Sequence, residues 1–112
     1  MPRSSNDKTP LSYVRSGNWP DARLDPEAPL SAYCGLVLAR DLATMMAAAG
    51  LSLRAVGERA GVAHSTIARI LGGEVLPDIG TLARLEDALD HQLWPGPKAL
   101  RAAAAQHGRC IA

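Results

Sequence analysis

This 112-residue sequence predicts an all-α fold, a small helical bundle behind an irregular Pro-rich N-terminal arm, and three observations carry that prediction. The length suits a single domain. The apolar fraction is 47%, but 20 of those residues are alanine, Phe is absent, and two Trp and two Tyr supply all the aromatic bulk, so the core must be small and helical. Apolar residues recur at three-to-four spacing from residue 31 onward, whereas the first thirty positions hold five of the eight prolines (Pro2, Pro10, Pro20, Pro26, Pro29), which block helix.

The elements follow in order, with boundaries at 1–30 for the arm, 31–95 for the helical domain and 96–112 for an Ala-rich tail. In the arm, Leu11, Tyr13 and Val14 can form a short extended piece before Gly17, and Trp19 is a candidate anchor. The pattern leaves open whether the arm folds back, pairs with a second subunit or stays mobile. A first helix carries Leu38, Leu42 and Met45 in one stripe and stops at Gly50. Ser52 caps a short second helix, Leu53 to Ala60, with Val56 and Ala60 inward and Gly61 as its stop. Residues 64–71 form a third, Ile67 and Ile70 sharing a face before Gly72 and Gly73. Pro77 and Asp78 introduce a fourth, in which Ile79, Leu82, Leu85 and Leu89 keep helical spacing. Pro95 and Pro97 end it. The stretch from Lys98 to Gln106 has high helix propensity but almost no large side chain to bury, which predicts a frayed or partner-dependent helix.

Charge narrows the function classes. Twelve Lys and Arg against eleven Asp and Glu give +1, which rules out a histone-like polycation. Residues 31–95 carry five basic and seven acidic side chains, which counts against indiscriminate binding to polyanions. No apolar run approaches the ~18–20 residues of a membrane span and no signal-peptide core is present, so a cytoplasmic chain with no membrane partner is expected. Cys34 and Cys110 match no metal-ligand or disulfide spacing and read as reduced structural or surface thiols. Ten Arg to two Lys with abundant Ala points to a high-GC bacterial source. His64, His91 and His107 stand far apart, and no phosphate loop or nucleophile elbow occurs, so no catalytic residue, cofactor or metal is expected. Asp41, Glu86, Asp87 and Asp90 read as a solvated face.

Leu53 to Ile70 is the informative stretch. Two eight-residue helices separated by Gly61-Val62-Ala63 satisfy the steric demands of a helix-turn-helix, whose helices cross at about 90–120° over a turn of three to four residues. Gly57 leaves room where backbones approach, Gly61 permits a positive φ, and Val56, Ala60, Val62, Ile67 and Ile70 close the wedge.

From Gly50 to Leu89 the run GLSLRAVGERAGVAHSTIARILGGEVLPDIGTLARLEDAL resembles the Cro- and phage-repressor-like helix-turn-helix family, often called the XRE family. The likeness reaches back to about Leu36. It implies a compact four-to-five-helix bundle of the lambda-repressor-like DNA-binding type, reading double-stranded DNA with its third helix in the major groove, usually as a dimer. In that register His64, Ser65 and Arg69 fall at base-reading positions, Arg69 foremost, because its planar fork can donate twice to a guanine. Ser52 and Arg54 would hold the DNA backbone, and Thr66 would reach a phosphate or a thymine methyl. Lys98, Arg101 and Arg109 form either a phosphate-binding tail or a solubilising terminus.

Departures from the family matter as well. Leu53 stands where many members carry Gln, and Glu74 and Asp78 make the loop before the fourth helix acidic, which lowers expected affinity. Where relatives pair an Arg with a Glu, this chain has Met46 and Leu71, so an apolar contact is expected in place of an ion pair. The expectation is a sequence-specific transcriptional regulator, a repressor dimer on a palindromic operator with no cofactor. Its dimer contacts come from Leu93 and Trp94 with the tail, or from the arm around Tyr13 and Trp19. The competing reading is a protein-interaction module, antitoxin-like or an adaptor, whose partner is another protein.

Overall fold

The computed structural model describes residues 8–106, so His107, Arg109 and Cys110 lie outside the described residues. Five helices account for most of it: α1 (Leu30–Ala49), α2 (Leu53–Ala60), α3 (His64–Leu71), α4 (Ile79–Leu89) and α5 (Gly96–Gln106). Ahead of them a 3-10 turn, Pro10–Tyr13, leads into a small antiparallel hairpin of β1 (Val14–Ser16) and β2 (Arg23–Leu24), with Val14 opposite Leu24 and Ser16 opposite Arg23.

The helix ends obey local chemistry. Ser52 Oγ accepts a hydrogen bond from Ala55 N at 3.1 Å and Asp78 Oδ1 one from Thr81 N at 2.7 Å, so both predicted caps form. Gly50 and Gly61 close α1 and α2 in the left-handed region at φ 65° and 68°. At Gly57 the reason for glycine is space: a Cβ there would lie 2.7 Å from the Val62 carbonyl oxygen, so any side chain would force the turn away from α2.

Two apolar clusters share α1 as their common wall. Leu38, Leu42 and Met46 of α1 meet Val56, Ala60, Ile67, Ile70, Leu85 and Leu93, with Leu71 packed on the margin. Met46 and Leu71 thus lie at the same apolar cluster, one inside it and one on its margin. Ala32, Tyr33 and Leu36 face the other way, onto Leu24, Ala28, Leu100, Ala103 and Ala104.

Four sequence expectations change. Met46 is buried and Met45 only half-buried, because α1 is covered on two faces and a single stripe misplaces its edge. Ile79 is 86% exposed; at 3.6 residues per turn it lies roughly 120° around α4 from the buried Leu85, off the inward stripe. The tail helix is packed, not frayed, since Leu100, Ala103 and Ala104 bury against α1, where small side chains let two backbones come close. Finally, α1 is by length and composition long enough to cross a membrane, although no uninterrupted apolar run is present. Half of that helix is buried in the bundle, and its central Arg40 and Asp41 bond to Pro20 O at 2.7 Å and His91 Nε2 at 3.2 Å, so it serves as the core helix.

Replacing Ser52 with Ala should cost about 1 kcal/mol of unfolding free energy through the lost cap. Gly57→Ala should cost more, ~1–3 kcal/mol, because the Val62 carbonyl is backbone and must move. Urea denaturation of the two variants beside the wild type measures both.

Candidate nucleic-acid interface

The burial of Ile67 and Ile70 dictates what α3 offers to solvent. Taking those two as the inward direction, a 3.6-residue period puts Ser65, Ala68 and Arg69 on the outward face, with His64 and Thr66 on its two flanks. Burial agrees: His64, Ser65, Ala68 and Arg69 are exposed and Thr66 is half-buried. The predicted residues of α3 therefore fall on one surface, the polar ones clustered along it. Ala68 sits on that face on the side of Ser65 away from Arg69, about 100° around the helix from Ile67. A methyl group in that position can pack against a thymine methyl.

The leading end of α3 is bare. Ala63 supplies no capping oxygen, and its carbonyl accepts from Thr66 N and Ile67 N at 3.0 and 3.3 Å, leaving the first-turn amides without a side-chain acceptor. Ser52 and Arg54 are exposed at the start of α2. Ser52 Oγ is engaged as an acceptor in its own cap, which leaves its hydroxyl proton for an acceptor outside the helix. At the start of α4, Asp78, Ile79 and Gly80 are exposed. The amide of Thr81 holds the Asp78 carboxyl below its ordinary value of 3.8, so this end stays negatively charged at neutral pH.

Arg54, Arg59 and Arg69 take no part in the ion pairs seen among the described residues, such as Arg15 with Asp25 and Arg40 with Asp21, nor in the contact of His91 Nε2 with Asp41 Oδ2. Among the described residues neither Arg54 nor Arg59 pairs with Glu58 or Glu86. Glu86 Oε2 instead accepts from Leu93 N at 2.7 Å and Trp94 N at 2.9 Å, tying the chain after α4 back to that helix. Among the described residues no three His, Cys, Asp or Glu side chains gather where a metal ion could bind. Cys34 is a free, half-buried thiol whose pKa is raised by burial.

Two short helices crossing at Gly57 over a glycine-stopped turn, the second turned outward, make a helix-turn-helix. A family model described as a helix-turn-helix domain matches residues 37–92. The chain belongs to that family, which is of the XRE/Cro-like type. No curated protein and no solved structure matches the chain. Helix-turn-helix domains of this kind are DNA-binding regulators and typically have no enzymatic activity. The matched residues take in α2, α3 and α4 with most of α1, and leave out the hairpin arm and α5.

Asp78 gives this surface a pH signature. With its folded pKa depressed, its contribution to stability is complete above the unfolded value and is lost as pH falls through the folded one. The gap in thermal midpoint between wild type and Asp78→Ala should stay constant from pH 8 to 5 and shrink below about pH 4. A gap that widens in acid would contradict the assigned direction.

Proposed function

We propose that this helix-turn-helix protein is a sequence-specific transcriptional regulator, a cytoplasmic repressor that binds a palindromic operator as a dimer and acts by occlusion. The observation that carries the proposal is the exposed face of α3, on which Ser65, Ala68 and Arg69 lie together with no part of the described chain over them. His64, Ser65 and Arg69 read bases, Arg69 through two hydrogen bonds to guanine O6 and N7. Ser52, Arg54 and Thr66 hold phosphates and set the register. With a net charge of +1 each protomer makes few phosphate contacts, so two recognition helices about 34–36 Å apart are needed for tight binding.

The dimer contact is assigned to Trp94 with Ile79 and Leu76. This retains Trp94 from the first of the two expected contacts, without Leu93, which is buried in the core; in the arm, Trp19 donates its indole N–H to the Leu71 carbonyl. Trp94, Ile79 and Leu76 remain 50%, 86% and 43% exposed, and Trp94 and Ile79 line one shallow apolar surface. The acidic Glu74 and Asp78 beside the binding face favour the second reading, a module whose partner is a protein.

Selection from random duplexes should enrich an inverted repeat whose half-sites are centred one helical turn apart. Arg69→Ala should relax preference at one base pair per half-site, worth ~1–3 kcal/mol. Arg54→Ala should weaken binding to all sequences alike and make the salt slope shallower by about one per half-site. Trp94→Ala should shift the protein to monomer in sedimentation equilibrium. Co-purification with a protein that survives high salt, together with no retention of any duplex, would replace the regulator by the interaction module.

A further inference from the structure

The last turn of α3 has four carbonyls to satisfy, and the chain after it supplies donors for three. Gly72 N donates to Ala68 O at 3.0 Å, Gly73 N to Ile70 O at 3.2 Å and Glu74 N to Arg69 O at 3.0 Å. The last two are the paired bonds of a Schellman stop, with Gly73 in the left-handed region at φ 73°. The fourth carbonyl, that of Leu71, receives the indole N–H of Trp19 at 2.9 Å, from a residue 52 positions earlier in the chain. A Cβ on Gly73 would lie 2.5 Å from Trp19 Cε2, so only glycine lets the ring lie against the helix exit. The 3-10 turn adds a second link, Leu11 N donating to Gly73 O at 2.9 Å. The far side of the hairpin loop is held on α1, where Arg40 Nε donates to Pro20 O at 2.7 Å.

From these bonds we infer that the N-terminal arm is a brace for the recognition helix and that Trp19 is a positioning residue for DNA specificity, an inference that rests on the regulator reading. The arm lies outside the residues shared with the family, yet its indole completes the carbonyl end of the helix that carries Arg69. Rotation or fraying of α3 about Ile67 and Ile70 would swing Arg69 off its base while leaving the phosphate contacts at the start of α2 in place. Trp19 thus acts on base discrimination and leaves charge neutralisation alone. The brace grips the trailing end of α3, opposite the bare leading end at His64, so it steadies the helix without covering the reading face.

The test uses the full-length Trp19→Phe variant, which keeps a ring against Gly73 and deletes the N–H, and Arg40→Met, which releases the arm from α1. Affinity is measured for the duplex enriched by selection and for a scrambled duplex, across a salt series. Hydrogen exchange is read at Gly72, Gly73 and Glu74. The brace predicts that both variants lose about tenfold in the ratio of specific to scrambled binding, with the scrambled affinity and its salt slope unchanged, and that the three amides exchange faster than those of α4. Specific and scrambled binding falling together, in step with thermal stability, would show a merely structural arm and overturn the inference. So would an unchanged ratio. If the wild type itself prefers no duplex, the regulator reading fails first and the assignment of Trp19 to specificity fails with it.

Discussion

Burial of Ile67 and Ile70 against α1 is the constraint from which the rest follows. An eight-residue helix has too few backbone bonds to hold its shape alone, so its orientation comes from whatever its apolar face can reach. Leu38, Leu42 and Met46 offer that face on one side, Val56 and Leu85 on the others, and Gly57 allows the turn to close tightly enough for all of them to meet. Once the two isoleucines are inside, Ser65, Ala68 and Arg69 have nowhere to point but outward. On the proposed reading the interface is therefore a by-product of core packing, and a substitution at Ile67 would act on DNA recognition without touching DNA.

The same long helix explains how a chain with no Phe and few aromatics builds a stable bundle. Leu38, Leu42 and Met46 line one side of α1 and Tyr33 and Leu36 the other, so a single helix serves as wall for two clusters. The second cluster recruits the arm and α5, elements outside the family's shared residues. It makes the trailing end of α3 a junction where the residues the family model matches meet the arm outside that match.

What was legible in the sequence was what local chemistry decides. Ser52, Gly61 and Asp78 act within three or four residues of where they stand, and each did what its side chain or its φ demands. The exposed position of Arg69 followed from its spacing to Ile67 and Ile70. What was not legible depended on partners distant in the chain. Met45 and Met46 cannot be told apart when a helix has two buried sides. Ala103 and Ala104 looked like residues with nothing to bury until α1 came close enough for methyl groups to fill the gap. Ile79 stands three residues from Leu82, as a core residue would, yet it lies off the stripe centred on Leu85 and stays exposed. Trp19 was visible as an anchor, while its target, a carbonyl and a glycine more than fifty positions away, was not.

The most direct measurement is an NMR titration of the isotopically labelled protein with the duplex enriched by selection, following backbone amides through Ser52–Arg54, His64–Arg69 and Asp78–Thr81. The account predicts that the largest shifts fall on the first turn of α3 and along its outward face, with smaller ones at the starts of α2 and α4. Shifts confined to Trp94 and α5, with His64 to Arg69 unmoved at saturation, would contradict it.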